Sequence, residues 1–286
     1  MLYVCGEALI DLVPCSSPAG GEGLAPLRPV PGGGPFNAAC YCGLFDRTVA
    51  FVGRISQDPF GETLMGVLHS YGVDTRFVQR GSEPTTLAVA STGPDGSATY
   101  SFYLEGTADR LVDPQLPPLG AGDILSVGTL SLALEPGASR YAALVHEAAR
   151  QGALVTLDPN IRALTATPEH REALRALLPD VSVLKLSEDE VDFLGEDVTT
   201  LVPAAIITRG GEGLRLVMGE HTLDVSPAPV EVVDTIGAGD TVMAVILSEL
   251  DARGARLPES PEEWRPILER AAREAAETCA HAGARR

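Results

Sequence analysis

The sequence predicts an α/β fold with a mostly parallel sheet and helices on both of its faces. Short apolar runs, which are typical of buried strands, alternate along the chain with helical segments. Only a few extended pieces interrupt this alternation. The chain has 286 residues, which is near the upper limit for one hydrophobic core. We therefore expect a single α/β domain over residues 1–286.

The first predicted elements have recognisable start signals. Residues 2–5 form an apolar strand that ends at Gly6. Pro35 stands at a favoured first helical position, and Asp58 with Pro59 forms the start of a second helix. The predicted strands are 2–5, 49–52, 124–127, 154–157, 183–186, 205–208, 214–218, 222–225 and 230–233. The predicted helices are 36–44, 59–72, 140–151, 168–178, 188–194, 241–253 and 262–282.

Two segments do not follow the alternation of strands and helices. Residues 14–31 are rich in Pro and Gly, which predicts a loop or an irregular hairpin. Residues 85–107 hold two strand-like runs around 94–96 (PDG), which predicts a β-hairpin. The pattern alone leaves two interpretations open. These pieces either form a separate small sheet or extend the edge of the main sheet.

Composition excludes several classes of partner. The formal net charge is −18, which argues against nucleic acid and anionic membranes, because both require Lys and Arg. No apolar run approaches membrane-spanning length, and the start of the chain does not have the pattern of a secretory signal. Five cysteines, an odd number, favour reduced thiols over a disulfide framework. We therefore expect a cytoplasmic protein.

The most informative motif is 234–240 (DTIGAGD), which directly precedes an apolar helix. Gly237, Ala238 and Gly239 place backbone N–H groups at a helix N-terminus, where an anion is favoured. Asp240 adds a carboxylate beside that anion site, as expected for a base that takes a proton from a hydroxyl group. The simpler alternative is a helix start capped by an aspartate.

Further polar residues stand near the ends of predicted strands, where ligands of parallel sheets bind. Asp11 and Asn37 offer the paired acceptors and donors that a sugar requires, although each alone is more typical of a loop Asp or a helix-start Asn. Asp158 also follows a predicted strand. Lys185 is the only lysine and does not follow a glycine loop, so it is not the lysine of the usual phosphate-binding loop.

Six motifs in order resemble the ribokinase-like (PfkB) carbohydrate kinases, and they are most similar to the fructokinase branch. The resemblance implies a three-layer α/β sandwich with a small β lid, built here from residues 12–31 and 85–107. It also implies an ATP-dependent kinase that phosphorylates a small sugar, with fructose as the favoured substrate. The motifs are 6–11 (GEALID), 32–39 (GGGPFNAA), 53–61 (GRISQDPFG), 158–162 (DPNIR), 185–190 (KLSEDE) and 234–240 (DTIGAGD).

The resemblance assigns roles to individual residues. Asp240 is implied as the catalytic base, with Gly237, Ala238 and Gly239 as the anion hole. The implied sugar contacts are Asp11, Gly32, Gly33, Asn37 and Arg162. The implied ATP contacts are Lys185, Thr208, Gly210, Gly213, Gly237 and Gly239. Glu190 is implied to hold Mg²⁺ through water, and Asp234 and Ile236 are implied to hold a monovalent cation.

Two departures from the family pattern limit these expectations: residues 195–205 form a short connection, and the chain stops at Arg286. Ser187 also replaces the usual Asn, but related fructokinases commonly show this change, so it does not weaken the role implied for Glu190. The short terminus makes adenine binding and the monovalent cation uncertain, and we expect weak or absent activation by K⁺. A 2-keto-3-deoxygluconate, ribose or nucleoside kinase remains an alternative, as does a catalytically silent sugar-binding protein. The lid further implies a homodimer.

Overall fold

The computed structural model describes residues 1–15, 26–92, 98–227 and 229–284. A nine-stranded sheet forms its centre, in the order β13-β12-β11-β10-β9-β8-β1-β4-β5. All neighbouring pairs are parallel except β11–β12 and β12–β13, which are antiparallel. Its strands are β1 Leu2–Cys5, β4 Val49–Ser56, β5 Val78–Gly81, β8 Ile124–Gly128, β9 Leu154–Asp158, β10 Val183–Ser187, β11 Ala204–Thr208, β12 Leu214–Met218 and β13 His221–Val225.

Seven α-helices cover the two faces of this sheet, which confirms the predicted three layers. They are α1 Gly34–Leu44, α2 Pro59–Ser70, α3 Gly137–Arg150, α4 Pro168–Leu177, α5 Glu188–Leu194, α6 Ala238–Ala252 and α7 Pro261–Cys279. The buried side chains of α1, α2, α6 and α7 share one apolar core with one face of the sheet. Those of α3, α4 and α5 share a second core with the other face.

Burial explains the composition of the two apolar layers. Helix α6 is apolar on almost every side because it packs between α1 and α7 as well as on the sheet. Helices α3 and α4 bury only one face and carry charged residues on the other. Each fully buried Leu, Ile or Phe contributes about 1.5–3 kcal/mol to folding.

A second sheet of four strands stands apart from the first, in the order β3-β2-β6-β7. Its strands are β2 Leu9–Pro14, β3 Leu27–Gly32, β6 Leu87–Thr92 and β7 Ala98–Tyr103. The two extended pieces therefore form a separate small sheet, and the edge-extension alternative is wrong. Residues 16–25 of the predicted loop and the 94–96 turn lie outside the described residues.

Asp58 joins the two sheets at the base of the small sheet. As predicted, it caps α2, since its Oδ1 accepts a hydrogen bond of 2.8 Å from the Gly61 N–H. It also accepts the N–H of Thr85 at 2.8 Å and the Thr85 hydroxyl at 2.7 Å, just before β6 begins. One carboxylate thus fixes both a helix start and one connection of the small sheet.

The structure corrects the sequence predictions at three places. The predicted strand 230–233 is irregular backbone, because the N–H groups of Val233 and Asp234 bond the Cys279 carbonyl instead of a neighbouring strand. The final helix ends at Cys279, and residues 280–284 form turns. Strand β5 was not predicted, because its four residues include Gln79 and Arg80 and have no apolar run.

No helix within the described ranges is both long enough and apolar enough to span a bilayer.

Candidate active site

The sheet topology fixes where the site lies. Strand order runs outward from β1 in two directions, to β4 and β5 on one side and to β8 through β13 on the other. Ligands of such sheets bind beyond the carboxyl ends of the strands, at the point where the order reverses. That point here lies between β1 and β8.

The start of α6, where the sequence predicts an anion site, lies next to this reversal. Gly237 is the residue before the helix and has a φ of 83°, a left-handed conformation that favours glycine. The first N–H groups of α6 have no partners within the helix and carry its partial positive charge. The predicted anion hole of Gly237, Ala238 and Gly239 therefore has the backbone geometry that its sequence implies.

Asp240 lies in the first turn of α6 and faces α1. The Nδ2 atom of Asn37 donates a hydrogen bond of 2.8 Å to Asp240 Oδ2. Gly34 stands beside the pair, since a methyl group added to it would lie 3.4 Å from Asp240 Oδ1 and 3.3 Å from Asn160 Nδ2. Two residues predicted from separate motifs, Asn37 and Asp240, thus meet in space.

Lys185 brings a buried positive charge to the same place. Its Nζ atom forms a 2.7 Å ion pair with Asp158 Oδ2, and a methyl group added to Gly239 would lie 3.2 Å from that Nζ. Burial raises the pKa of Asp158 to about 6, and the ammonium of Lys185 only partly offsets that effect. Burial lowers the pKa of Lys185, but Asp158, Glu190 and Asp240 together raise it above its ordinary value. The ammonium group is therefore positively charged at neutral pH.

Glu190 is a third buried charged residue in this cluster. Its Oε2 accepts the Ser187 N–H at 2.6 Å while Ser187 Oγ accepts the Glu190 N–H at 3.3 Å, which is a capping box. Its Oε1 accepts the Ile161 N–H at 2.6 Å. The carboxylate thus ties α5 to the loop after β9, and its proposed contact to Mg²⁺ through water remains a prediction.

The end of the chain packs against the anion hole. Asp234 Oδ2 accepts the Gly283 N–H at 2.9 Å, and Asp234 Oδ1 accepts the Ile236 N–H at 3.0 Å. A methyl group on Gly237 would lie 2.5 Å from the carbonyl oxygen of Ala284, which is buried. Residues 283 and 284 therefore lie against the predicted anion hole. Whether Asp234 and Ile236 hold a monovalent cation there remains a prediction.

An open cleft of about 670 Å³ leads away from the start of α6. Its walls are mainly glycine backbone and small apolar side chains, and its inner end is formed by Ala238 and Gly239. Predicted nucleotide contacts Thr208, Gly210 and Gly213 lie on one wall. The opposite wall comes from the segment before α6 and from α7, and includes Val230, Val232, Ala272, Ala275, Ala276 and Cys279.

The predicted sugar contacts lie on the other side of Asp240, under the small sheet. Asp11 lies within β2 rather than after β1, so its carboxylate projects from the small sheet. The Oδ2 atom of Asp11 would lie 2.1 Å from a methyl group on Gly32, which explains why glycine is needed there. Gly33 has a φ of 109° and passes close to the Glu7 carbonyl. Arg162, the remaining predicted sugar contact, is exposed to solvent.

Sequence reasoning missed three residues near the site. Tyr100 on β7 is 42% exposed; partial burial and the charges of Asp11 and Asp234 raise its pKa while Arg162 lowers it, so this strand lies near those three residues. Thr129 contacts Gly34, and Glu7 bonds Thr129. Glu7 belongs to the GEALID motif, so its place there was a usable signal, whereas nothing in the sequence indicated Thr129 or Tyr100.

Comparisons with known proteins agree with this geometry. Residues 1–286 match the family described as pfkB family carbohydrate kinase. The chain is 35% identical over 265 residues to the fructokinase of Rhizobium leguminosarum bv. trifolii, covering 87% of this chain and 79% of that protein.

Solved structures agree on the fold. A fructokinase from Xylella fastidiosa with bound ATP superposes with a TM-score of 0.86 at 23% identity, covering 99% of this chain and 93% of that one. Aminoimidazole riboside kinase from Salmonella enterica, complexed with aminoimidazole riboside and an ATP analog, also has a TM-score of 0.86, at 24% identity and 99% and 94% coverage.

Proposed function

Because the chain belongs to the pfkB family of carbohydrate kinases, we propose that it transfers the γ-phosphoryl group of ATP to a primary hydroxyl of fructose. The observation that carries this proposal is the position of Asp240. Its carboxylate lies between the cleft that ends at Gly239 and the sugar side formed by Asp11 and Asn37. A base is needed at that boundary, where a hydroxyl oxygen meets a phosphoryl group.

The proposed step follows from this arrangement. The hydroxyl oxygen attacks the γ-phosphorus, its proton passes to Asp240, and the bond from the γ-phosphorus to the bridging oxygen breaks to release ADP. Asn37 donates to Asp240 Oδ2 and so holds the carboxylate in one orientation. The N–H groups at the start of α6 and the ammonium of Lys185 offset the charge of the transferring group.

The proposed nucleotide position follows from the shape of the cleft. Small apolar side chains of α7 and of the 229–232 segment suit an adenine ring, while Thr208, Gly210 and Gly213 line the opposite wall. The phosphates then extend toward Gly237, Gly239 and Lys185. The fructokinase from Xylella fastidiosa, which has the same fold, was solved with bound ATP, which supports ATP as the nucleotide.

The carboxylates of the site fit a Mg²⁺ ion. Asp158 Oδ1 is buried and has no hydrogen-bond partner among the described residues, and Glu190 and Asp240 add further negative charge around Lys185. Mg²⁺ is usually held by one or two carboxylates together with phosphate oxygens and water. Asp158 and Glu190 are the residues that we propose to hold it, and the ion would neutralise charge on the phosphates.

The 35% identity to the fructokinase of Rhizobium leguminosarum bv. trifolii favours fructose over other sugars as the substrate. A riboside is the second candidate, because the riboside kinase from Salmonella enterica matches the fold equally well. A panel of fructose, ribose, 2-keto-3-deoxygluconate and nucleosides with ATP and Mg²⁺, followed by ADP release, separates them. We expect the highest kcat/KM with fructose, and a higher value with any other acceptor would overturn the assignment.

Asp11→Ala should weaken the sugar side alone. We expect the KM for fructose to rise about tenfold or more, because a carboxylate that accepts sugar hydroxyls is lost, while the KM for ATP stays within about twofold. Initial rates with one substrate varied at a time measure both values. An unchanged fructose KM would remove Asp11 from the site.

We also propose that the small sheet acts as a lid and as a homodimer surface. Its edge strands carry exposed Leu27 and Tyr103, and Tyr100 on the same sheet lies near Asp11. Closure over the sugar would exclude water, which otherwise competes as a phosphoryl acceptor.

The five free cysteines support the proposal of a reducing, cytoplasmic environment.

The lid proposal predicts a change in amide hydrogen exchange. Residues 87–92 and 98–103 should exchange more slowly with fructose bound, or be protected in both states if a dimer covers them. Mass spectrometry of exchanged peptides measures this, with helix α3 as an internal control. Equal, fast exchange with and without fructose would contradict the lid.

A further inference from the structure

We propose that Glu7 is a positioning residue for phosphoryl transfer, one that holds the Thr129–Ser131 turn against Gly34 and Asp240. The proposal rests on the function proposed above, because it takes Asp240 as the base. Glu7 does not face the cleft or the sugar side. It lies in the connection from β1 to β2, with 2% of its surface exposed.

The contacts of Glu7 converge on one turn. Its Oε1 accepts the Thr129 hydroxyl, and its Oε2 accepts both the hydroxyl and, at 3.2 Å, the N–H of Ser131. Three donors from a three-residue segment thus bind one buried carboxyl group. Hydrogen bonds to a group in so apolar a place are costly to leave unmade.

The turn that Glu7 holds is strained. Thr129 has a φ of 63°, a left-handed conformation that is an outlier for a β-branched residue. Such a backbone costs about 1–3 kcal/mol and persists only where the surroundings enforce it, most often beside functional sites. The bond from the Thr129 hydroxyl to Glu7 is the contact that can enforce it here.

Thr129 passes this constraint to the reacting side of the site. A methyl group added to Gly34 would clash with Thr129 Cγ2 at 2.7 Å and would lie in ordinary contact with Asp240 Oδ1 at 3.4 Å, so Thr129 packs against Gly34 on the side of the site that holds Asp240. On the opposite side, the Glu7 carbonyl packs against Gly33, 2.7 Å from where a Cβ would be. Glu7 therefore supports both walls of the glycine turn that precedes α1 and its Asn37.

The charge of Glu7 makes its role measurable. Burial, the largest influence, and the nearby carboxyl of Asp109 raise its pKa, while the bonds from Ser131 and Thr129 lower it, and the net pKa is about 7. Tyr141 and Cys5 are the other titratable groups that face this pocket. An exposed glutamate titrates near 4.5. Unfolding therefore releases protons between about pH 4.5 and 7, and the contribution of Glu7 to stability falls as the pH rises through that window.

The test uses Glu7→Ala, Glu7→Gln and Thr129→Val, with Asp109→Asn as the matched control. Asp109 is also a buried acid near the small sheet, but it bonds Thr86 at 2.5 Å rather than the Thr129–Ser131 turn. All four proteins are assayed with ATP, Mg²⁺ and fructose at equal folded fraction, determined by circular dichroism.

We expect Glu7→Ala and Thr129→Val to lower kcat about 10- to 100-fold, because a shift of about 1 Å in a reacting group costs up to that much. The KM for ATP should change less than threefold. Glu7→Gln keeps the shape and the hydrogen bonds of the protonated acid, so its kcat should stay within about threefold of wild type. It should also melt at a higher temperature than wild type at pH 8 but not at pH 4.5.

Two outcomes would overturn the proposal. One is an unchanged kcat in folded Glu7→Ala, and the other is an equal loss of kcat in Glu7→Ala and Asp109→Asn, which indicates a merely structural role. Failure of the proposed function is distinguishable, because the wild-type protein would then phosphorylate none of the sugars.

Discussion

Asp240→Asn should lower kcat by at least about 10²-fold, the usual contribution of a general base, while fructose binding changes little. The amide has nearly the shape of the carboxylate and keeps a hydrogen bond to Asn37, but it cannot accept the proton of the sugar hydroxyl. Steady-state kinetics with ATP and fructose measure kcat, and calorimetry measures fructose binding to the variant.

A matched control keeps this result specific. Asp251 lies on the same helix, far from its N-terminus, and its contact is a 4.0 Å ion pair with Arg47. Asp251→Asn should retain normal turnover. Near-normal turnover in Asp240→Asn would show that the carboxylate at the start of α6 is only a helix-end residue, which was the simpler alternative from the sequence.

Lys185→Met should have the second large effect, on both activity and stability. We expect kcat/KM for ATP to fall about 10²- to 10³-fold, as when one donor to a developing charge is removed. The variant also leaves Asp158 buried without its cation, which costs up to about 3–5 kcal/mol where the carboxyl remains charged. Asp158 can instead take up a proton, so the stability loss should be smaller at pH 5 than at pH 8.

The double variant Lys185→Met, Asp158→Asn separates the two effects. It removes the unpaired carboxylate, so stability at pH 8 should return toward the wild-type value while activity stays low. Thermal unfolding and ATP kinetics at both pH values test this. Asp158 is also a proposed Mg²⁺ ligand, so recovery of activity together with stability would remove both Lys185 and Asp158 from the proposed phosphate and Mg²⁺ site.

The sequence predicted the main layers well because local patterns determine them. Apolar runs such as 49–52 are typical of buried strands in a sheet covered on both faces, and the start signal of α2 at Asp58 and Pro59 is local chemistry. The prediction of a strand at 230–233 was wrong because it also relied on local pattern alone. Three valines favour a strand, but Val232 and Val233 are 60% and 61% exposed, and no neighbouring strand offers them partners.

The candidate site was predictable where its residues lie within one motif. It was less predictable where residues far apart in the sequence come into contact. Asp240 and Gly237 were expected together because they share a helix start. The bond between Asn37 and Asp240 joins residues 203 positions apart; the resemblance implied that both belong to one site, but the bond itself was not predicted. Glu7 and Thr129 interact across 122 positions, and no local pattern predicts a strained threonine.

The C-terminal segment shows the same limitation. Gly283 and Ala284 lie far along the chain from Gly237, yet Asp234 accepts the Gly283 N–H, and Gly237 has no side chain to keep Ala284 away. Weak or absent activation by K⁺ remains a prediction.

The central claim is that the protein transfers the γ-phosphoryl group of ATP to a primary hydroxyl of fructose. The most direct measurement is the proton-coupled ³¹P NMR spectrum of the wild-type protein with ATP, Mg²⁺ and fructose. We predict ADP together with an equal amount of one phosphomonoester, split into a triplet by the two protons of a CH₂ group. A doublet from a secondary hydroxyl, or inorganic phosphate in place of the ester, would contradict the claim.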